Sequence, residues 1–273
     1  MVIKWPQRLL IDKLKRRAKL IYPPTTTPSV IQLTGHTMLK KGSHNIFNEA
    51  KAMRFIRART NIPLLHVLDT WAINEDYAYL VMERIEGVPL RDVFQKLSSA
   101  QKGTIAHELK AFVDQMRAIV VLHPTGIASV KGGTFREDRF DDEYMGPFED
   151  ERAYHDWRVS VVQAISTRHQ PTMERLKIIW KELQDDHDIV FTHGDLNPGN
   201  VLIKVRGDGD VHIVAVLDWE MAGWRPAYWE YVKCMHSMGG DTEWGEFVGM
   251  VLQKYQKEKA LDDELQRLSG AGY

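Results

Sequence analysis

Apolar positions along this chain recur with two different periods. Val30 to Leu33 and Thr37 to Lys41 are short β-favouring runs joined through Gly35, which predicts a hairpin. From Asn45 to Ala58 the spacing of Phe47, Ala50, Met53 and Ile56 is helical. Two more strands are expected at about 65–72 and 77–82, turned by Asn74-Glu75-Asp76. Helical periodicity then holds from about 89 to 121 and again over 150–184, on either side of an irregular stretch at 123–149 that is rich in Gly, Pro and charge. A strand at Ile189 to Thr192 is followed by a loop, by two strands around Gly207-Asp208-Gly209-Asp210, and by helical segments to the end. Ahead of the first hairpin, residues 4–21 hold seven Lys or Arg and one acid. Leu10, Leu14, Ala18 and Ile21 fall there at helical spacing, so this basic amphipathic helix either packs on the domain through that apolar stripe, the favoured reading, or serves as an anionic-lipid contact or transit peptide. The pattern is α+β: a small β-rich unit crossed by one helix over 1–83, then a larger, mainly helical part over 84–273.

Composition narrows the function classes. The 273 residues carry 36 basic and 37 acidic side chains, so no global field is available to hold nucleic acid or an anionic membrane. Cys234 is the only cysteine, which removes intramolecular disulfides and the multi-thiolate zinc patterns and fits a reducing cytoplasm. No apolar run approaches the roughly 20 residues that span a bilayer, so membrane insertion is not expected. Oligomeric state is not legible.

The P-loop, the complete G-x-G-x-x-G, the nucleophile elbow and H-E-x-x-H are all absent. What stands out is His193-Gly194-Asp195-Leu196-Asn197-Pro198-Gly199-Asn200, with Asp218 at the end of the second strand beyond it. This is the H-x-D-x-x-x-x-N loop of phosphoryl-transfer enzymes, followed by a metal-binding Asp. Chance would produce the eight-residue pattern only about 0.02 times in a chain of this composition. Phosphoryl transfer asks a protein mainly for positioning and charge neutralisation. Asp195 suits the proton acceptor, Asn200 offers a neutral oxygen to Mg²⁺, and Asp218 supplies the anionic ligand. His193 is read as a scaffold of the loop, since the carboxylate already occupies the proton-accepting position.

With these residues in view, the chain resembles the aminoglycoside phosphotransferase and choline kinase group, most closely its fungal phosphotransferase enzyme family members. The matching phrases are EAKAMRFIRARTNIPLLHVL, YLVMERIEGVPL, ASVKGG, GPFEDERAYHDW, FTHGDLNPGNVLI and VLDWEMAGWRPAYWEYVK, which extend from about residue 38 to 236. The resemblance implies a two-lobed, protein-kinase-like fold with ATP between the lobes. It further implies that Lys40 is the phosphate-binding lysine, Glu49 its ion-pair partner, and Glu83 to Ile85 the hinge whose backbone meets adenine. Lys41 is an alternative to Lys40, because neighbouring strand residues face opposite sides. The short N-lobe offers only Gly35 and Gly42 where a glycine-bearing turn should cover the phosphates, and the metal motif reads Asp218-Trp219-Glu220 with no A-P-E after it. The expected activity is therefore ATP- and Mg²⁺-dependent transfer to a hydroxyl of a small molecule. A nucleotide-binding pseudokinase that acts as scaffold or sensor is the alternative.

Two clusters bear on the acceptor. Trp219, Trp224, Tyr228, Trp229 and Tyr231 could floor a pocket, but their spacing favours a helix core. Residues 136–156 hold nine acids against three arginines and could draw a cationic acceptor, or form a solvated loop and helix start.

Overall fold

The computed structural model of the protein describes residues 5–25, 27–120, 126–137, 144–165, 170–207, 209–237 and 242–269. In chain order the elements begin with α1 (Trp5–Ile21), β1 (Val30–Gln32), β2 (Thr37–Ser43), α2 (Ile46–Arg57), β3 (Val67–Ala72), β4 (Tyr77–Glu83), β5 (Val88–Pro89) and α3 (Leu90–Val93). Next come α4 (Ser99–Arg117), β6 (Ala128–Ser129), β7 (Phe135–Arg136), β8 (Tyr144–Met145), α5 (Glu151–Ile165), α6 (Gln170–Glu182) and β9 (Ile189–Thr192). The last are β10 (Val201–Val205), β11 (Val211–Val216), β12 (Gly223–Pro226), α7 (Trp229–His236), α8 (Thr242–Val251) and α9 (Gln256–Leu268).

These elements form two compact units, each made of two chain segments: Met1–Leu97 with Pro198–Glu220, and Ser98–Asn197 with Met221–Tyr273. The sequence pattern suggests one boundary at 83/84. In the structure residues 84–97 and 198–220 pack with the first unit, because β5 pairs with β10 and the Val216 N–H donates to the Pro63 carbonyl at 2.8 Å.

The first unit is built on an antiparallel sheet in the order β1-β2-β4-β3, with a smaller sheet β11-β10-β5. Alternation along β2 sends Leu39 into an apolar cluster with Ile11, Leu33, Trp71, Tyr79 and Val81. Its neighbour Lys40, paired with Leu80, therefore faces the opposite side. α1 forms where the periodicity predicts, but its buried face is set by Ile11 and Ala18, while Leu10, Leu14 and Ile21 are exposed. The rotation lets Lys15, on the same face, donate from Nζ to the Tyr79 hydroxyl at 2.7 Å.

The second unit is mainly helical. Its α4 starts at a capping box in which Ser98 and Gln101 satisfy each other's backbone N–H groups. One apolar cluster gathers Ile127, Phe135, Tyr154, Tyr228, Trp229 and Val232; another joins α5, α6 and α9 through Val162, Leu176, Ile179, Leu183, Leu261 and Leu265. A three-stranded sheet β6-β12-β9 lies in this unit. Sequence periodicity gives no sign of β12, Gly-Trp-Arg-Pro, which becomes a strand because both of its edges are paired. No described helix is long and apolar enough to cross a membrane.

Candidate active site

In the first unit, Lys40 is the centre of a charged cluster. Its Nζ lies 2.9 Å from Glu49 Oε2, 2.8 Å from Asp218 Oδ1 and 3.3 Å from Glu220 Oε2. Glu49 stands in the first turn of α2, and the contact is an ion pair without hydrogen-bond alignment, whereas Asp218 and Glu220 accept true hydrogen bonds. Burial alone would push the Lys40 ammonium down, yet the three carboxylates outweigh it and its pKa is raised. Burial, reinforced by Asp218 and Glu220, pushes the Glu49 carboxyl up to about 7 against the pull of Lys40. Lys41 is outside this cluster; its ammonium stands 4.2 Å over the ring of Tyr77.

The β10–β11 hairpin supplies the other charged groups. Val201 pairs with Val216, and just beyond that rung the Leu217 N–H donates to the Asn200 carbonyl at 2.8 Å, so Asn200 and Asp218 sit at the same end of the hairpin. Asp218 is the only described residue other than glycine with a positive φ, at 61°. Asp tolerates this left-handed conformation better than most residues, and such outliers concentrate at functional sites. With Lys40 counted, the charge on Lys40, Glu49, Asp218 and Glu220 sums to −2 when all are ionised. Oxygens of Glu49, Asp218 and Glu220 lie within 4.8 Å of one another. An all-oxygen, net-negative donor set fits a hard divalent cation such as Mg²⁺.

Where the chain leaves β4 the backbone is open. The Glu83 N–H donates to the His66 carbonyl at 2.9 Å and the Arg84 N–H to the His36 carbonyl at 2.8 Å, whereas the Ile85 N–H has no partner among the described residues. The β1–β2 turn is closed by threonines. Thr34 and Thr37 share a 2.8 Å hydroxyl contact, and the His36 N–H donates to Thr34 Oγ1 at 3.1 Å. Gly35 takes no left-handed conformation there.

In the second unit, β9 delivers His193, Gly194 and Asp195. The carboxylate of Glu230, buried in the first turn of α7, accepts the His193 N–H at 2.6 Å and the Gly194 N–H at 3.2 Å. His193 is fully buried, and its Nδ1 accepts the Asp195 N–H at 3.2 Å, which makes it a brace of the loop. Asp195 is half-buried; Asn197 Nδ2 donates to its Oδ1 at 2.9 Å. Gly194 is obligatory: its φ is +80°, and a Cβ would come within 2.7 Å of the Met221 carbonyl oxygen. Cys234 closes the loop from below with a 2.9 Å contact from Sγ to the Leu196 carbonyl, and burial raises its thiol well above the usual range.

Of the residues singled out by sequence, Lys40, Glu49 and Asp218 are brought together, while Asp195 and His193 belong to the other unit with Glu230. Glu230 is not marked out by the motifs, and Glu220 stands in the metal motif without a role of its own. Glu230 could have been suspected as a lone acid in an otherwise apolar helix start, Trp-Glu-Tyr-Val. Trp219, Trp224, Tyr228, Trp229 and Tyr231 are all buried and are core. Within the acidic run, Asp138 to Glu143 lie outside the described residues. Glu137 is buried against Lys233 at 2.6 Å, Glu151 accepts from His187, and Asp150 caps the start of α5 through the Ala153 N–H.

The profile of the phosphotransferase enzyme family matches residues 39–269. No curated protein matches the chain. Among solved structures, an aminoglycoside phosphotransferase in complex with GDP and kanamycin is similar at a TM-score of 0.63 and 11% identity, over 96% of this chain and 90% of that one. An aminoglycoside phosphotransferase ternary complex with streptomycin and ATP gives 0.61 and 12%, over 94% and 85%. A third, from Streptomyces rimosus, gives 0.56 and 16%, over 98% and 99%. These likenesses show a shared fold, the two-lobed kinase-like α+β architecture with a β-rich N-terminal and a helical C-terminal part.

Proposed function

The chain belongs to the phosphotransferase enzyme family, and on that premise we propose that it transfers the γ-phosphate of ATP, with Mg²⁺, to a hydroxyl group of a small molecule. The observation that carries this reading is the Lys40 ammonium, half-buried and held between Glu49 and Asp218. A half-buried lysine kept charged by carboxylates is prepared to meet phosphate oxygens. The solved structures of similar fold in complex with ATP or GDP support nucleotide use.

In this reading Asp195 accepts the proton of the acceptor hydroxyl as the new P–O bond forms and the bond from the γ-phosphorus to the β–γ bridging oxygen breaks, releasing ADP, with Asn197 fixing the Asp195 rotamer. His193 keeps the loop in shape. The unpartnered Ile85 N–H, with the backbone from Glu83, receives the adenine edge. Asp218 and Asn200 would hold Mg²⁺, which supplies charge neutralisation on the phosphates when bound. Transfer is direct, without a phospho-enzyme.

The test is phosphoryl transfer from γ-labelled ATP across a panel of amino sugars, amino alcohols and nucleosides, read by mass spectrometry. A product phosphorylated on a hydroxyl, lost in Asp195→Asn, supports the proposal. Magnesium-dependent ATP binding with no transfer and no ATP hydrolysis would replace it with a nucleotide-binding scaffold.

A further inference from the structure

A cavity of about 360 Å³ opens between the C-terminal half of α2 and the start of β3, wholly within the first unit. That volume is in the range of small-molecule sites. Met53, Leu65 and Val67 are buried and give it an apolar floor. Arg54, Arg57 and His66 are exposed and stand at its rim. The Asp69 carboxylate also lines it, with Oδ1 already accepting the Thr70 N–H at 2.8 Å. Two guanidiniums against one carboxylate leave the wall net positive.

Arginines in a last helical turn complement the helix dipole, and that accounts for basic residues at this end of α2. It does not account for the apolar hollow beneath them. Arg57 Nη1 is anchored on the Leu64 carbonyl at 3.3 Å, which fixes its fork at the rim. The Arg54 guanidinium has no hydrogen-bond or ion-pair partner among the described residues.

We propose that this cavity binds a small organic anion, with its carboxylate or phosphate monoester on Arg54 and Arg57 and its apolar body against Met53, Leu65 and Val67. Planar guanidinium forks match the oxygens of either anion. None of the groups that line the cavity belongs to the Lys40 cluster, so the site stands apart from the proposed phosphoryl transfer. Met53 lies one helical turn from Glu49 on α2, so an occupant braces the element that carries Glu49.

Calorimetric titration with 1-naphthyl phosphate and 1-naphthoate, with 1-naphthalenemethanol as the neutral control, tests the proposal and tells phosphate from carboxylate preference. The expected result is one-to-one binding of at least one anion, persistence in millimolar ATP, and a raised melting temperature on binding. Replacing Arg54→Glu should weaken that binding by roughly tenfold, and Arg54→Glu with Arg57→Glu by more. If the double variant does not fold, Arg54→Glu alone decides, because it leaves the Leu64 contact intact. The proposal fails if neither anion binds at millimolar concentration, if the neutral alcohol binds as well, if ATP displaces the probe, or if Arg54→Glu binds it like the wild type.

Discussion

The carboxylate of Glu230 accepts the backbone N–H of His193 at 2.6 Å, so the loop that carries Asp195 hangs from a buried acid on α7. Glu230→Gln keeps the shape of the side chain but removes its charge and one of the two acceptors that His193 and Gly194 share. The expected loss is about 1.5–3 kcal/mol of stability, the scale of a hydrogen bond to a charged group. Turnover should fall by up to about 10²-fold through misplacement of Asp195, with KM for nucleotide nearly unchanged. Denaturant melts and steady-state kinetics on the same samples separate the two effects.

Asp195→Asn retains the Asn197 contact and should leave the fold and nucleotide affinity in place. The rate of phosphoryl transfer is expected to drop by roughly 10²–10⁴-fold, the range of a lost general base. Undiminished turnover would remove Asp195 from the mechanism; intrinsic ATP hydrolysis is the assay until an acceptor is found.

Asn also tolerates the left-handed backbone found at Asp218, so Asp218→Asn should fold while losing the anionic ligand. Thermal stabilisation by ATP should then no longer depend on Mg²⁺. Asn200→Ala should only weaken that dependence, because an anion contributes more than a neutral amide to binding a divalent cation. Equal effects of the two variants would contradict this ranking.

His155 gives the second unit a pH dependence. Burial, with the Arg158 and Arg152 guanidiniums adding to it, lowers its imidazole to about 3. Between that value and the ordinary pKa of about 6.5 the unfolded chain holds a proton that the folded one refuses, so stability falls as pH drops through this window. The contribution is on the order of 1–2 kcal/mol by pH 5. His155→Gln, which cannot titrate and can still reach the Tyr228 hydroxyl, should flatten the slope of stability between pH 7 and pH 5 in urea melts.

The periodic parts of this molecule are readable from its sequence. The β1–β2 hairpin, α2, β3, β4 and the β10–β11 pair follow from period-two and period-three-to-four spacing, as does β9 in front of the H-x-D-x-x-x-x-N motif. What escapes the pattern depends on partners distant in sequence. α1 is turned so that Ile11 and Ala18 are inside, because Leu33, Leu39 and Tyr79 present the surface it meets. β12 contains Gly, Trp, Arg and Pro and exists through pairing with β6 and β9. The side of β2 on which Lys40 lies was implicit in Leu39, since an apolar neighbour committed to the core turns the next residue the other way. Glu230 has only the weak signal of an acid among apolar neighbours, and the roles of Glu220 and Glu230 rest on partners far off in the chain: Lys40 for Glu220, the His193 and Gly194 N–H groups for Glu230.

The first unit is interrupted after Leu97 and resumes at Pro198, which has a consequence for synthesis on the ribosome. When residue 97 emerges, the β5 edge that will pair with Leu202 and Ile203 is bare, and Lys40 has met only Glu49 of its three carboxylates. The nascent unit must wait through the next hundred residues before β10, β11, Asp218 and Glu220 arrive to complete it. During that interval it is an unfinished sheet with an unpaired edge, the kind of surface that chaperones shield and that premature chain termination would leave permanently open.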